Sequence, residues 1–180
     1  MSRFLRGLRA CAIGCTVLAL PFAAAPAAAQ GNPDLKAVST YTLTMDKYRQ
    51  YLESSVKIAD AVAKDASIVP RLNAYGDKPM AEQIKILDGI PQIRSALAAA
   101  GSTSRDYLLT QAALLQAGMA HAMAKEGQAP SDKMIADAGL NRANLEFYSK
   151  NEAEITRLAK EAEARSPVMP GAARGGEPAE

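Results

Sequence analysis

The sequence predicts an all-α protein, a single four- to five-helix bundle. Three observations carry that prediction. Apolar residues recur at helical spacing through residues 40–165, as in Met45, Tyr48, Leu52, Val56, Ala59, Val62 and Ala63. Capping residues, glycines and prolines bracket each periodic stretch. No stretch alternates apolar and polar residues between turn signals, so no strand is expected.

The first segment is of a different kind. Arg3, Arg6 and Arg9 precede any acid, residues 10–22 are apolar and uncharged, and residues 23–29 are small, ending Ala27-Ala28-Ala29 before Gln30. That order is a Sec-type signal peptide, residues 1–29, with cleavage expected after Ala29. The apolar run is shorter than the roughly 20 residues a membrane span needs, so no stable membrane anchor is expected. Ala12-Ile13-Gly14-Cys15 imitates a lipid-attachment motif, but Cys15 precedes most of the apolar run. The expected location is periplasmic or secreted.

Removal of the leader changes the chemistry. The chain has 21 basic and 19 acidic residues, and the leader holds three of the arginines. The remainder carries 18 basic against 19 acidic, a net charge of −1. Its basicity belonged to the leader, so no nucleic-acid partner is expected. Cys11 and Cys15 leave as well. A cysteine-free mature protein excludes thiol redox chemistry, a zinc–thiolate site and a c-type cytochrome.

Residues 30–39 read as a polar lead-in. The first long helix is expected over residues 45–64, capped by Thr44, with Glu53–Lys57 and Asp60–Lys64 as i,i+4 pairs. Pro70 and Gly76 break the pattern across residues 67–78, leaving room for one short turn. Pro79 opens a helix with the narrow stripe Met80, Ile84 and Leu87. Gly89-Ile90-Pro91 ends it and starts a shorter helix, with Ile93 and Leu97 inward, that stops at Gly101. Thr103 and Asp106 resemble a capping box for a helix over residues 104–125, with no charge between Tyr107 and Ala124. Gly127 and Pro130 end it. A partly helical connection over residues 131–139 precedes a last helix, residues 142–165, capped by Asn141 and carrying Glu146–Lys150 and Glu161–Arg165 pairs. Residues 166–180, rich in Pro, Gly and Ala, read as a disordered tail.

His121 is the only histidine and stands between Met119 and Met123. Helical geometry places the two methionines with Leu108, Ala112 and Leu115 on an expected core face. It puts His121 with Thr110, Gln111 and Lys125 on the polar side, as a surface histidine. No catalytic motif, phosphate loop or metal-ligand spacing is present.

The final helix has an expected inward face of Tyr148, Ile155, Leu158, Ala159 and Ala162, and Asn144 and Asn151 fall on it. A buried amide needs partners. Asn144 is expected to bond the preceding connection and Asn151 a facing helix, with a polar pocket as the functional alternative. Tyr41, Tyr48, Tyr51, Tyr107 and Tyr148 cluster near helix starts, as at a core boundary or a ligand mouth. Arg105-Asp106-Tyr107 is the densest polar cluster beside an apolar helix.

The segments Gly89-Ile90-Pro91 and Ala98-Ala99-Ala100-Gly101-Ser102-Thr103-Ser104-Arg105-Asp106-Tyr107, with Asn144 and Phe147 downstream, resemble small exported helical proteins of Gram-negative bacteria that have no assigned activity. The resemblance rests on caps and core positions. It implies fold and compartment, and no functional residues.

The expected function is that of a soluble periplasmic, non-enzymatic protein without a cofactor. It would bind a partner protein or a small apolar ligand through a surface drawn from Tyr48, Tyr51, Arg105, Tyr107, Asn144, Tyr148 and Asn151. One alternative is a haem- or metal-binding bundle using His121. Another is an enzyme with a cleft near Arg105, Tyr107 and Asn144.

Overall fold

The computed structural model describes residues 33–76 and 78–166. Among them are eight α-helices and no strand: α1 Pro33–Thr40, α2 Met45–Lys64, α3 Val69–Asn73, α4 Met80–Asp88, α5 Pro91–Ala99, α6 Ser104–Lys125, α7 Asp132–Asp137 and α8 Arg142–Arg165. A 3-10 turn, Ala66–Ile68, leads into α3. The segment expected to be a signal peptide, with Cys11 and Cys15, and residues 167–180 of the expected tail lie outside the described residues.

The long helices start and stop where their caps dictate. Thr44 accepts a hydrogen bond from the Lys47 amide at 3.2 Å, and Asn141 Oδ1 accepts from the Ala143 amide at 2.9 Å. Thr103 Oγ1 accepts from the Asp106 amide at 3.0 Å. The capping box is not reciprocal, however. The shorter Asp106 carboxylate takes the Thr103 hydroxyl hydrogen at 2.8 Å instead of reaching its backbone. Gly101 and Gly127 hold φ of 71° and 79°, which a side chain would resist. Gly89 differs: its φ is −74°. A side chain is disfavoured there by crowding, because an added Cβ would lie 3.1 Å from the Lys85 carbonyl.

α2 runs antiparallel to α5. Gln50 bonds the Gly101 carbonyl at one end, and Gln92 bonds Asp65 at 3.0 Å at the other. α6 and α8 run in the same direction, with Gly118 against Tyr148 and Lys125 paired with Glu152. The α7 connection must therefore return along the length of the molecule before α8 begins. Two apolar clusters form the core. Val62, Ile68, Leu87, Ile90, Ile93, Leu97 and Leu108 join α2, α4, α5 and α6. Val38, Leu43, Leu109, Ala113 and Ala117 join α1 to α6.

α1 lies within the segment read as a polar lead-in. Eight residues are too few for a helix to persist alone, so its contacts sustain it. Val38 is buried, and Asp34 Oδ2 accepts from the Met80 amide at 2.8 Å. Pro79, at the cap of α4, has no side-chain acceptor, and Asp34 supplies one from α1.

One expected surface pair, Glu161–Arg165, is rearranged. Arg165 crosses to Glu53 on α2 at 2.8 Å, and Glu161 pairs with Arg157 instead. Lys57 pairs with Glu53 at 3.2 Å, as its spacing predicts.

Candidate functional site

α6 departs most from its expected orientation. Met119 is 55% exposed and Leu115 42% exposed, so neither is core. The buried residues are Ser104, Leu108, Leu109, Thr110, Ala113, Ala117 and Ala120. Between Tyr107 and Ala124 the helix carries no charge, so little contrast between faces fixes its rotation. Packing decides it, and small residues inward let neighbouring helices approach closely. Gly118 shows how closely: a Cβ there would stand 3.3 Å from the Tyr148 ring and hydroxyl. Beyond Leu109, then, α6 buries Ala113, Ala117 and Ala120, with Leu114 packed against the cluster that holds the first two, and directs Leu115 and Met119 outward. Leu115 and Met119, one turn apart, continue into exposed Ala122. Met134 on α7 is also 48% exposed.

The same rotation carries Thr110 and His121 of the expected polar side inward, while Lys125 stays exposed. Thr110 is buried and shares a 2.7 Å hydrogen bond with the Tyr41 hydroxyl. The His121 side chain is only 16% exposed and packs against Tyr148, with ring centroids 5.5 Å apart. Its Nε2 lies 3.2 Å from Glu152 Oε2 but has no aligned hydrogen-bond partner. Glu152 also holds Lys125. Lys125 first, and His121 second, keep the Glu152 carboxyl below its usual range. His121 is therefore an interhelical contact and not a surface residue. Among the described residues no three His, Cys, Asp or Glu side chains gather to hold a metal ion.

Asn144 is buried, and its partners are not those expected. Its Oδ1 accepts from the Leu43 amide at 2.8 Å, and its Nδ2 donates to the Tyr41 carbonyl at 2.8 Å. Asn141 Nδ2 donates to the same carbonyl at 3.0 Å. The two asparagines thus strap the α1–α2 link to the start of α8. Asn151 bonds Phe147 of its own helix at 2.7 Å and not a facing helix.

The tyrosines occupy separate places. Tyr48 is buried and donates to the Ile155 carbonyl at 2.8 Å. Tyr51 and Tyr107 stack with centroids 5.1 Å apart, and Ser55 Oγ lies 3.5 Å from the Tyr107 hydroxyl. Burial pushes the Tyr107 phenol far above its ordinary value of 10.0, and burial likewise raises Tyr51 and Tyr75. These phenols stay neutral, as suits packing and not proton transfer. Arg105 is exposed on the first turn of α6.

The seven residues proposed as a surface are therefore not gathered in one cleft. Two grooves are formed by others. One, of about 550 Å³, lies between α2 and α8 and includes Leu52, Leu158 and Arg165. The other lies beside Arg71, Ala74, Lys85 and Ile86. Arg105, Tyr107 and Asn144 line neither. Among the described residues, no helix is long and apolar enough to cross a membrane. No family model, curated protein or solved structure matches the chain.

Periodicity alone missed the Leu115–Met119 face. One signal could have found it: the small residues Ala113, Ala117 and Ala120 trace a stripe of their own, at the spacing of a close helix contact.

Proposed function

We propose that this chain is an exported, non-enzymatic binding protein that works in the periplasm or outside the cell. Its helices α2, α4, α5, α6 and α8 act as one bundle, and its signal peptide is removed after Ala29. It takes an apolar partner surface or a small apolar ligand on the outward face of α6. The observation that carries this reading is the outward placement of Leu115 and Met119 on α6, opposite the buried Ala113, Ala117 and Ala120. A contiguous apolar stripe is costly to leave wet and marks a contact site. Methionine suits such a face because its flexible thioether adapts to varied shapes. The tyrosines contribute by packing the frame beneath, and no covalent chemistry is involved.

The test compares the wild-type chain with a Leu115→Glu, Met119→Glu variant in pull-downs from periplasmic extract, with mass spectrometry of proteins and small molecules. Both positions are exposed, so the variant is expected to keep its thermal midpoint and lose the captured species. Identical captures by both chains, or none by either, would refute the assignment. Amino-terminal sequencing of the exported protein should begin at Gln30.

A further inference from the structure

Tyr51 and Tyr107 are far apart in sequence, one on α2 and the other on the first turn of α6. Their rings face each other, with centroids 5.1 Å apart and planes 27° from parallel. That is the separation of rings in direct contact. The hydroxyls gather as well. Ser55 Oγ donates its one hydrogen to the Tyr51 carbonyl at 3.0 Å and lies 3.5 Å from the Tyr107 hydroxyl, toward which it can then only accept. The Tyr51 hydroxyl borders the same Ser55 and Tyr107 hydroxyls. With both oxygens collected at Ser55, the ring carbons beside them, the Cε carbons, stand next to each other. Tyr75 is half-buried and close enough for its charge to act on both phenols, which gives electrons a route from the pair toward the surface. The chain has no tryptophan, and both cysteines lie in the segment expected to be removed, so its tyrosines are its readiest source of single electrons. We propose that Tyr51 and Tyr107 form an oxidative cross-linking site, coupled as a dityrosine that ties α2 to α6 when a one-electron oxidant driven by hydrogen peroxide, a haem peroxidase, acts on the chain.

The chemistry balances. Each phenol gives up one electron to the oxidant and its hydroxyl proton to water. The two radicals join through one Cε carbon of each ring, forming a single carbon–carbon bond. The hydrogen on each joined carbon moves to its oxygen, which restores both rings as phenols. Two hydrogens are lost in all, and one hydrogen peroxide takes up both electrons and two protons to become two waters. Packing already holds the rings together, so coupling within this pair has the advantage of a preformed encounter. Closing the bond asks the rings to turn about their Cβ–Cγ bonds, a soft rotation. Tyr41 and Tyr48 are held elsewhere, by Thr110 and by the Ile155 carbonyl. Leu115 and Met119 lie roughly two turns or more further along α6 than Tyr107. Cross-linking and partner capture can therefore fail separately, and capture itself stays non-covalent.

The test treats the full chain, expressed with its own leader, with a haem peroxidase and hydrogen peroxide at low protein concentration. Free tyrosine under the same conditions is the positive control for the oxidant. The expected product is a monomer lighter by two hydrogen atoms, with the blue fluorescence of dityrosine. Its peptide map joins the peptide holding Tyr51 to the one holding Tyr107, and its yield does not change on dilution. Tyr51→Phe and Tyr107→Phe should each lower that yield at least roughly tenfold, because either removes one partner of the held pair. Tyr41→Phe should leave it unchanged. A dityrosine that joins other positions would overturn the proposal. So would one formed only between chains and rising with concentration, or none at all while free tyrosine couples. Circular dichroism confirms that each variant remains helical, and the peptide map of the wild-type chain decides alone if a variant does not fold.

Discussion

Replacing Asn144 with alanine isolates the contribution of the strap. Asn144 is 3% exposed and serves two backbone groups about a hundred residues away, the Leu43 amide and the Tyr41 carbonyl. Truncation leaves the Leu43 amide buried without this partner, at a cost of about 1–3 kcal/mol. The Tyr41 carbonyl still accepts from Asn141 at 3.0 Å, so its loss is the smaller part, about 0.5–1 kcal/mol. Alanine returns about 0.5 kcal/mol as a better helix former. The net expectation is a loss of about 1–3.5 kcal/mol, a large share of a domain stability of about 5–15 kcal/mol. The assay is urea unfolding followed by far-ultraviolet circular dichroism, with Asn151→Ala as the comparison. Asn151 donates only to its own helix, so its truncation should cost less than about 0.5 kcal/mol. A loss below about 0.5 kcal/mol for Asn144→Ala, or equal losses for the two variants, would refute the claim that the strap stabilises the fold.

Three further outcomes follow from the packing. Tyr107 has its folded pKa raised by burial, so the stability it contributes is complete below pH 10 and is lost as pH rises from there toward the folded value. Tyr107→Phe should flatten the alkaline fall in unfolding free energy, and spectrophotometric titration should show one fewer late-ionising phenol. Gly118→Val should cost about 1–3 kcal/mol by pushing against Tyr148, read as a lower urea midpoint, and Tyr148→Leu should relieve part of that cost. Glu53 has its folded pKa lowered, by Arg165 first and Lys57 second, so its contribution is present above its ordinary 4.5 and lost as pH falls through the folded value. Arg165→Ala should raise the Glu53 carboxyl pKa in an NMR titration, while changing stability by less than about 1 kcal/mol because the pair is exposed to solvent.

What was legible in the sequence, and what was not, divides by range. The ends of α2, α6 and α8 were legible because Thr44, Thr103 and Asn141 act on amides two or three residues away. α1 was not legible, because Asp34 meets Met80 and Val38 meets α6 only after the chain has folded. Asn144 was legible as a buried amide but not as a strap, since nothing local points to Leu43. The rotation of α6 was misread for a deeper reason. Periodicity orients a helix by contrast between faces, and residues 107–124 carry no charge to supply that contrast. Without it, size decides: Ala113 and Ala117 permit closeness that Leu115 and Met119 would forbid. The property that made the helix hard to orient also leaves an apolar face in solvent. A polar outer face would have oriented α6 from the sequence alone and would have left no contact surface to propose. The failed expectation and the proposed site are thus two consequences of one composition.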